Sequence, residues 1–227
     1  MTDVLKQINA VHREIRDRPV TGGEGRSLLL RRAYAASTED VWNACTDPSR
    51  IARWLAPVSG ELRPGGTFQL EGNAAGEILR CDGPHLLKLT WSLGENRATE
   101  VEIRLSADAD GNTVLELEHV SPAEVVDELV RAYGPVGPVG IGAGWDLALL
   151  SLDLFLRREG EGRGGSEGRD MASWRTTPEA RELFSRSSHA WGAASQAFWG
   201  TSDEDIATVV EFAVQNFAPG GREGRTG

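Results

Sequence analysis

The chain has 227 residues, 40% of them hydrophobic, and 34 acidic against 24 basic side chains give a formal net charge of −10. That length suits one sizeable domain with appendages or two small domains, and the acidic balance, with no Lys/Arg cluster beside aromatics, argues against nucleic acid or an anionic membrane surface as partner. Two cysteines, Cys45 and Cys81, make no disulfide framework and suit a reducing compartment, so a cytoplasmic location is expected. The first residues, MTDVLKQINAVHREIRDRP, hold no unbroken apolar block and no small-residue cleavage site, which does not read as a secretory signal.

Val4, Ile8, Val11 and Ile15 recur at spacings of four, three and four, which predicts one helix ending near Pro19. TGGEG at 21–25 reads as a linker, so residues 1–25 are predicted as an N-terminal helix and its tether. SLLLRRAYAAS at 27–37 reads as a strand. Ser37 then caps a short helix with Val41, Trp42 and Cys45, and Asp47-Pro48 opens another that ends before Pro57. A meander of strands follows, with GNAAG at 72–76 and DADG at 108–111 as turns. Alternation puts Leu87, Leu89, Trp91 and Leu93 on one face, then Val101, Ile103 and Leu105, then Leu115, Leu117 and His119. Glu100, Glu102, Arg104, Glu116 and Glu118 fall opposite. This pattern predicts an antiparallel sheet with one buried and one wet face.

After YGPVGPVGIGAG, residues 145–158 form an apolar helix in which Trp145, Ala148, Leu149, Leu152, Phe155 and Leu156 share a broad face. Asp146, Asp153 and Arg157 make a narrow stripe expected to be wet, and Leu147, Leu150 and Leu154 a third, apolar flank that needs a cover. The 12 residues from Trp145 to Leu156, interrupted by Asp146, Ser151 and Asp153, are too few for a membrane span, which needs about 20. REGEGRGGSEGRD reads as a linker. Thr177-Pro178-Glu179 opens a helix with Leu183, Phe184, Trp191, Ala194 and Phe198 on one side. Thr201 and Glu204, at capping-box spacing, open another. The organisation expected is therefore a core domain over 26–160, a linker over 161–172, a helical hairpin over 173–219 and a disordered end over 220–227.

The segment VWNACTDPSRIARWLAPVSGELRPGGTFQLEGNAAGEILRCDGPHLLKLTW at 41–91, together with GWDLALLSLDLFL at 144–156, resembles the START/birch-pollen-allergen (SRPBCC) superfamily, and within it the bacterial homologues of the activator of the heat-shock-protein-90 ATPase (Aha-type). The resemblance covers roughly 27–158. It implies an α+β helix-grip fold, a curved antiparallel sheet on a long C-terminal helix, to which this chain adds an N-terminal helix and a C-terminal helical hairpin. It also implies an internal cavity for a small hydrophobic molecule. Strand parity converging on the long helix then nominates Trp54, Phe68, Trp91, Ile103, Leu117, His119, Trp145 and Leu149 as its lining. Ligand binding is the leading expectation. A cyclase- or aromatase-like enzyme using the same cavity and a chaperone-associated interaction module are the alternatives, and a homodimer stays open. The superfamily has no shared catalytic motif, so no catalytic residue carries over.

His119 sits with Leu115 and Leu117 on the buried parity, where an imidazole would donate to a ligand carbonyl or move a proton; a hydrogen-bonded histidine at a strand end is the plainer reading. Asp146 and Asp153 could form a pair for acid–base work, but a helix stripe without apolar surround reads as solvated. GNAAG and RPGG lack the spacing and the strand-to-helix context of phosphate loops. The four histidines and two cysteines show no CxxC, HxxxH or HExxH spacing, so neither a metal nor a cofactor is expected.

Overall fold

The structure, a computed structural model, describes residues 4–20, 23–94, 99–160, 174 and 177–219. Its helices are α1 (Val4–Asn9), α2 (Thr38–Thr46), α3 (Pro48–Trp54), α4 (Ala123–Tyr133), α5 (Val136–Gly160), α6 (Pro178–Trp199) and α7 (Asp203–Phe217). Its strands are β1 (Val11–Val20), β2 (Gly23–Tyr34), β3 (Val58–Gly60), β4 (Thr67–Leu70), β5 (Ala75–Asp82), β6 (Leu86–Trp91), β7 (Thr99–Ala107) and β8 (Thr113–Pro122). They form one eight-stranded antiparallel sheet in the order β1-β2-β8-β7-β6-β5-β4-β3. With the long α5 this is the helix-grip α+β fold. The chain divides into two compact units, one of Met1–Leu30, Ser121–Ala148 and Ser173–Gly227, the other of Arg31–Val120 and Leu149–Ala172.

The second unit holds the meander. Register pairs Ile78 with Leu89, Leu89 with Val101 and Val101 with His119; a parallel row runs Cys81, Leu87, Ile103, Leu117. Directly opposed residues share a face, so Trp91 and Ile103 lie on the same side, as alternation requires. The opposite side is less wet than alternation suggests. Glu102 and Glu118 face each other across β7 and β8 and are both buried, Glu102 accepting a 2.7 Å hydrogen bond from Arg104 Nε. The two short helices are held by their caps: the Ser37 hydroxyl accepts from the Asp40 amide, and Asp47 Oδ1 accepts from the amides of Ser49 and Arg50. Arg50 and Arg53 of α3 both bridge to Glu159 near the end of α5 and lie over the Phe155 ring.

The first unit departs from the sequence expectation at several elements. The helix predicted through Ile15 stops at Asn9, and residues 11–20 are a strand. A spacing of four, as between Val11 and Ile15, is also two strand repeats, so both side chains stay buried either way. Pro19 is tolerated because β1 is the sheet's edge. Gly23–Gly25 of the expected linker open β2; Thr21 and Gly22 lie outside the described residues, as do 161–172 and 220–227. α4 has no counterpart in the sequence reading. α5 begins at Val136, nine residues before the expected start, through the Gly- and Pro-rich run. Pro138 fits because first-turn amides have no intrahelical acceptor. At 25 residues α5 is long and apolar enough to cross a membrane, so length does not exclude a span; 72% of its most apolar 18-residue stretch is buried inside the protein, as in a core helix. α6 begins on Thr177 as expected, whereas α7 is capped one residue later than expected, by Ser202, whose hydroxyl accepts from the Asp205 amide.

Candidate functional site

The nominated residues gather largely on the inner face of the second unit. Phe68 pairs with Gly76 on β5, and its ring stands 6.0 Å from that of Trp91 at 42°. Ile103 sits between Leu87 and Leu117 in the register, and His119 ends the row through Ile78, Leu89 and Val101. Phe68, Leu87, Leu89, Val101, Leu105, Leu117 and His119 are buried, while Ile103 and Trp91 on the same face are half-buried. Leu149 is buried on α5, and its carbonyl accepts a 3.0 Å hydrogen bond from Tyr34 Oη. Trp54 turns toward α2 instead, where its Nε1 donates to the Ala44 carbonyl at 2.8 Å. Trp145, half-buried on α5, belongs to the first unit.

His119 is the polar member of an otherwise apolar row. Desolvation pushes its imidazole down to about 4, so at neutral pH the ring is uncharged. A neutral imidazole offers one donor and one acceptor nitrogen and no charge. The inner face of the strands therefore presents aliphatic and aromatic surface with a hydrogen-bonding ring at one end of it.

The two aspartates of α5 are not solvated, which corrects the expectation of a wet stripe. In the second unit Asp153 is buried and paired with Arg32 Nη2 at 3.1 Å, both side chains 3% exposed; Arg157 Nε adds a 2.9 Å hydrogen bond. The Arg32 guanidinium also lies 5.7 Å from the Tyr34 ring centroid. In the first unit Asp146 accepts from Arg13 Nε at 2.8 Å and Nη2 at 3.0 Å, from the Ser187 hydroxyl, and from Trp191 Nε1 at 3.0 Å. A buried carboxylate is tolerated only with such partners. Each aspartate thus fastens α5 to a different strand, and neither shares a site with the other. One signal for this was available: Leu28, Leu30, Arg32 and Tyr34 share the buried parity of β2, and an arginine pointing inward demands an anion. Among the described residues, no three His, Cys, Asp or Glu side chains gather into a metal site.

Residues 35–156 match the family described as activator of Hsp90 ATPase homolog 1-like protein. The chain is similar to CalU16 from Micromonospora echinospora, in a crystal structure at 36% identity and TM-score 0.64 over 82% of this chain and 98% of that one. The solution structure of CalU16 gives 36% identity and TM-score 0.66 over 85% and 97%. That likeness extends beyond 35–156, so some of the residues outside that stretch have counterparts there. DynU16, of the dynemicin biosynthetic locus, is 21% identical with TM-score 0.50 over 59% of this chain and 48% of its own, a likeness of fold. No curated protein matches.

Proposed function

Because the chain belongs to the activator of Hsp90 ATPase homolog 1-like family, we propose that it binds a small apolar molecule on the inner face of its helix-grip sheet. One observation carries this reading. Ile103 is flanked in register by Leu87 and Leu117 and along β7 by Val101 and Leu105, all four buried, yet Ile103 itself is only half-buried. A partly exposed apolar side chain in the middle of an apolar face is what a hollow beside it would leave. Trp91, half-buried beside the buried Phe68, supplies a flat wall on the same face. The uncharged His119 adds a group able to exchange a hydrogen bond with a ligand hydroxyl or carbonyl at little cost in desolvated charge.

The test is titration with a neutral apolar fluorophore such as N-phenyl-1-naphthylamine. Saturable one-to-one binding is expected, with transfer from Trp91 to the probe. Ile103→Trp, which fills the hollow, is expected to weaken binding roughly tenfold or more, equivalent to about 1.4 kcal/mol, while leaving the melting temperature little changed. Absence of saturable binding, or equal binding by the filled variant, defeats the reading.

A further inference from the structure

Eight large apolar side chains are exposed among the described residues, and four of them lie on two helices of the first unit: Leu129 (53%) and Tyr133 (73%) on α4, Phe212 (47%) and Phe217 (50%) on α7. On α4 they belong to a stripe at 126, 129, 130 and 133, the spacing of one helix face; Val126 and Val130 are half-buried and Ala123 is the helix's one buried residue. The helix is nonetheless anchored. Asp127 accepts from Arg26 Nε at 3.0 Å and from Trp199 Nε1 at 3.3 Å. α7 turns Val209, Val210 and Ala213 inward and leaves Phe212 and Phe217 outside, ring centroids 6.0 Å apart, edge to face.

The two helices meet at the C-terminal end of α4. A Cβ at Gly134, the residue after Tyr133, would stand 2.8 Å from Val209 Cγ2, and Phe212 lies one turn beyond Val209. Both helices are acidic. α4 carries exposed Glu124 and Glu128, and α7 carries exposed Asp203, Glu204, Asp205 and Glu211; Arg131 is the one cation on either helix. Glu128 and Glu211 each precede an apolar anchor, Leu129 and Phe212, by one residue, about a quarter turn round the helix.

We propose that the α4–α7 surface of the first unit is a docking site for a cationic amphipathic helix of another protein, its apolar side chains seated on Leu129, Tyr133 and Phe212 and its Lys or Arg side chains on Glu128 and Glu211. An exposed apolar strip of this kind marks an interaction surface, and large aromatic side chains supply its anchors. Charge chooses the occupant. A second copy of this chain would bring the same carboxylates against each other, and a net charge of −10 disfavours an anionic membrane.

The experiment uses the full chain and a synthetic Leu/Lys amphipathic helix about five turns long, followed by fluorescence anisotropy at physiological salt and by amide shift mapping. Saturable binding with shifts confined to 126–134 and 209–217 is expected. It weakens roughly tenfold or more in Tyr133→Ser/Phe212→Ser and equally in Glu128→Lys/Glu211→Lys, and the Leu/Glu counterpart peptide binds at least as weakly. All four positions are exposed; should the double serine variant lower the melting temperature, Leu129→Gln replaces it. The proposal is overturned if binding ignores both sets of variants, if the acidic or a scrambled peptide binds as well, if the free protein dimerises through this face, or if the same variants abolish binding to phosphatidylglycerol vesicles.

Discussion

Burial holds the His119 imidazole near 4, against about 6.5 for the side chain in water, and this couples stability to pH with a definite sign. Above about 6.5 neither the folded nor the unfolded chain protonates the ring, and the group contributes nothing. As pH falls from there toward 4, the unfolded chain takes up a proton that the folded chain refuses, so stability is lost, by as much as roughly 3 kcal/mol. His119→Leu keeps the apolar row through Val101 intact and is expected to flatten the fall in melting temperature over that window. A variant with the same slope as the parent shows that other groups govern the acid limb. Strand alternation was enough to place His119 with Leu115 and Leu117. It could not place Asp146 and Asp153, because their partners Arg13 and Arg32 come from strands more than a hundred residues earlier in the chain, and a carboxylate on a helix has no local mark of a distant cation.

At the scale of elements, the same limit shows in α5. Gly, Pro, Gly, Gly and Gly at 137, 138, 140, 142 and 144 disfavour helix in isolation, so the run reads as a loop, yet packing overrides propensity. A Cβ at Gly142 would stand 2.4 Å from the ring of Trp191, which is fully buried, and one at Gly140 would stand 2.8 Å from the Phe217 ring. The glycines are therefore what lets α6 and α7 approach the helix, a requirement visible only once those partners are known. Gly144 has nothing within 4 Å of the corresponding point. Gly142→Ala is expected to cost about 1–3 kcal/mol by overpacking, and Gly144→Ala to add up to about 1 kcal/mol by helix propensity, both measured by urea denaturation. Equal effects would mean that Trp191 yields to the added methyl. β1 was misread for a different reason: a spacing of four satisfies helix and strand alike, and the three polar residues between Val11 and Ile15 do not decide between them. The meander, α2, α3 and the start of α6 were legible because their signals are local: alternation, a serine or aspartate cap, a proline in the first turn.

Over the whole molecule, the residues outside the family's 35–156 stretch are not appendages. Arg13 of β1, Asp146 of α5, and Ser187 and Trp191 of α6 form one buried hydrogen-bonded cluster, around which the first unit is built. The sequence presents these parts as an N-terminal helix, a core helix and a separate hairpin, and nothing in composition or spacing joins them. Ending the chain after Gly160 removes two of the three partners of a buried carboxylate, together with the buried Leu183, Phe184 and Trp191. Burial of each such side chain is worth about 1.5–3 kcal/mol, and a carboxylate left short of donors costs more. The truncated chain is therefore expected to melt lower by well over 5 °C, at about 2–4 °C per kcal/mol for a chain of this size, or to associate through the uncovered half of α5. Hydrogen exchange should locate the damage. Amides of β1, α4 and residues 136–148 are expected to lose protection, while β5, β6 and β7, whose register partners all survive, keep theirs. An unchanged melting temperature with β1 still protected would show that Arg13 alone suffices for Asp146, and that α6 and α7 are held there for a partner rather than for the fold.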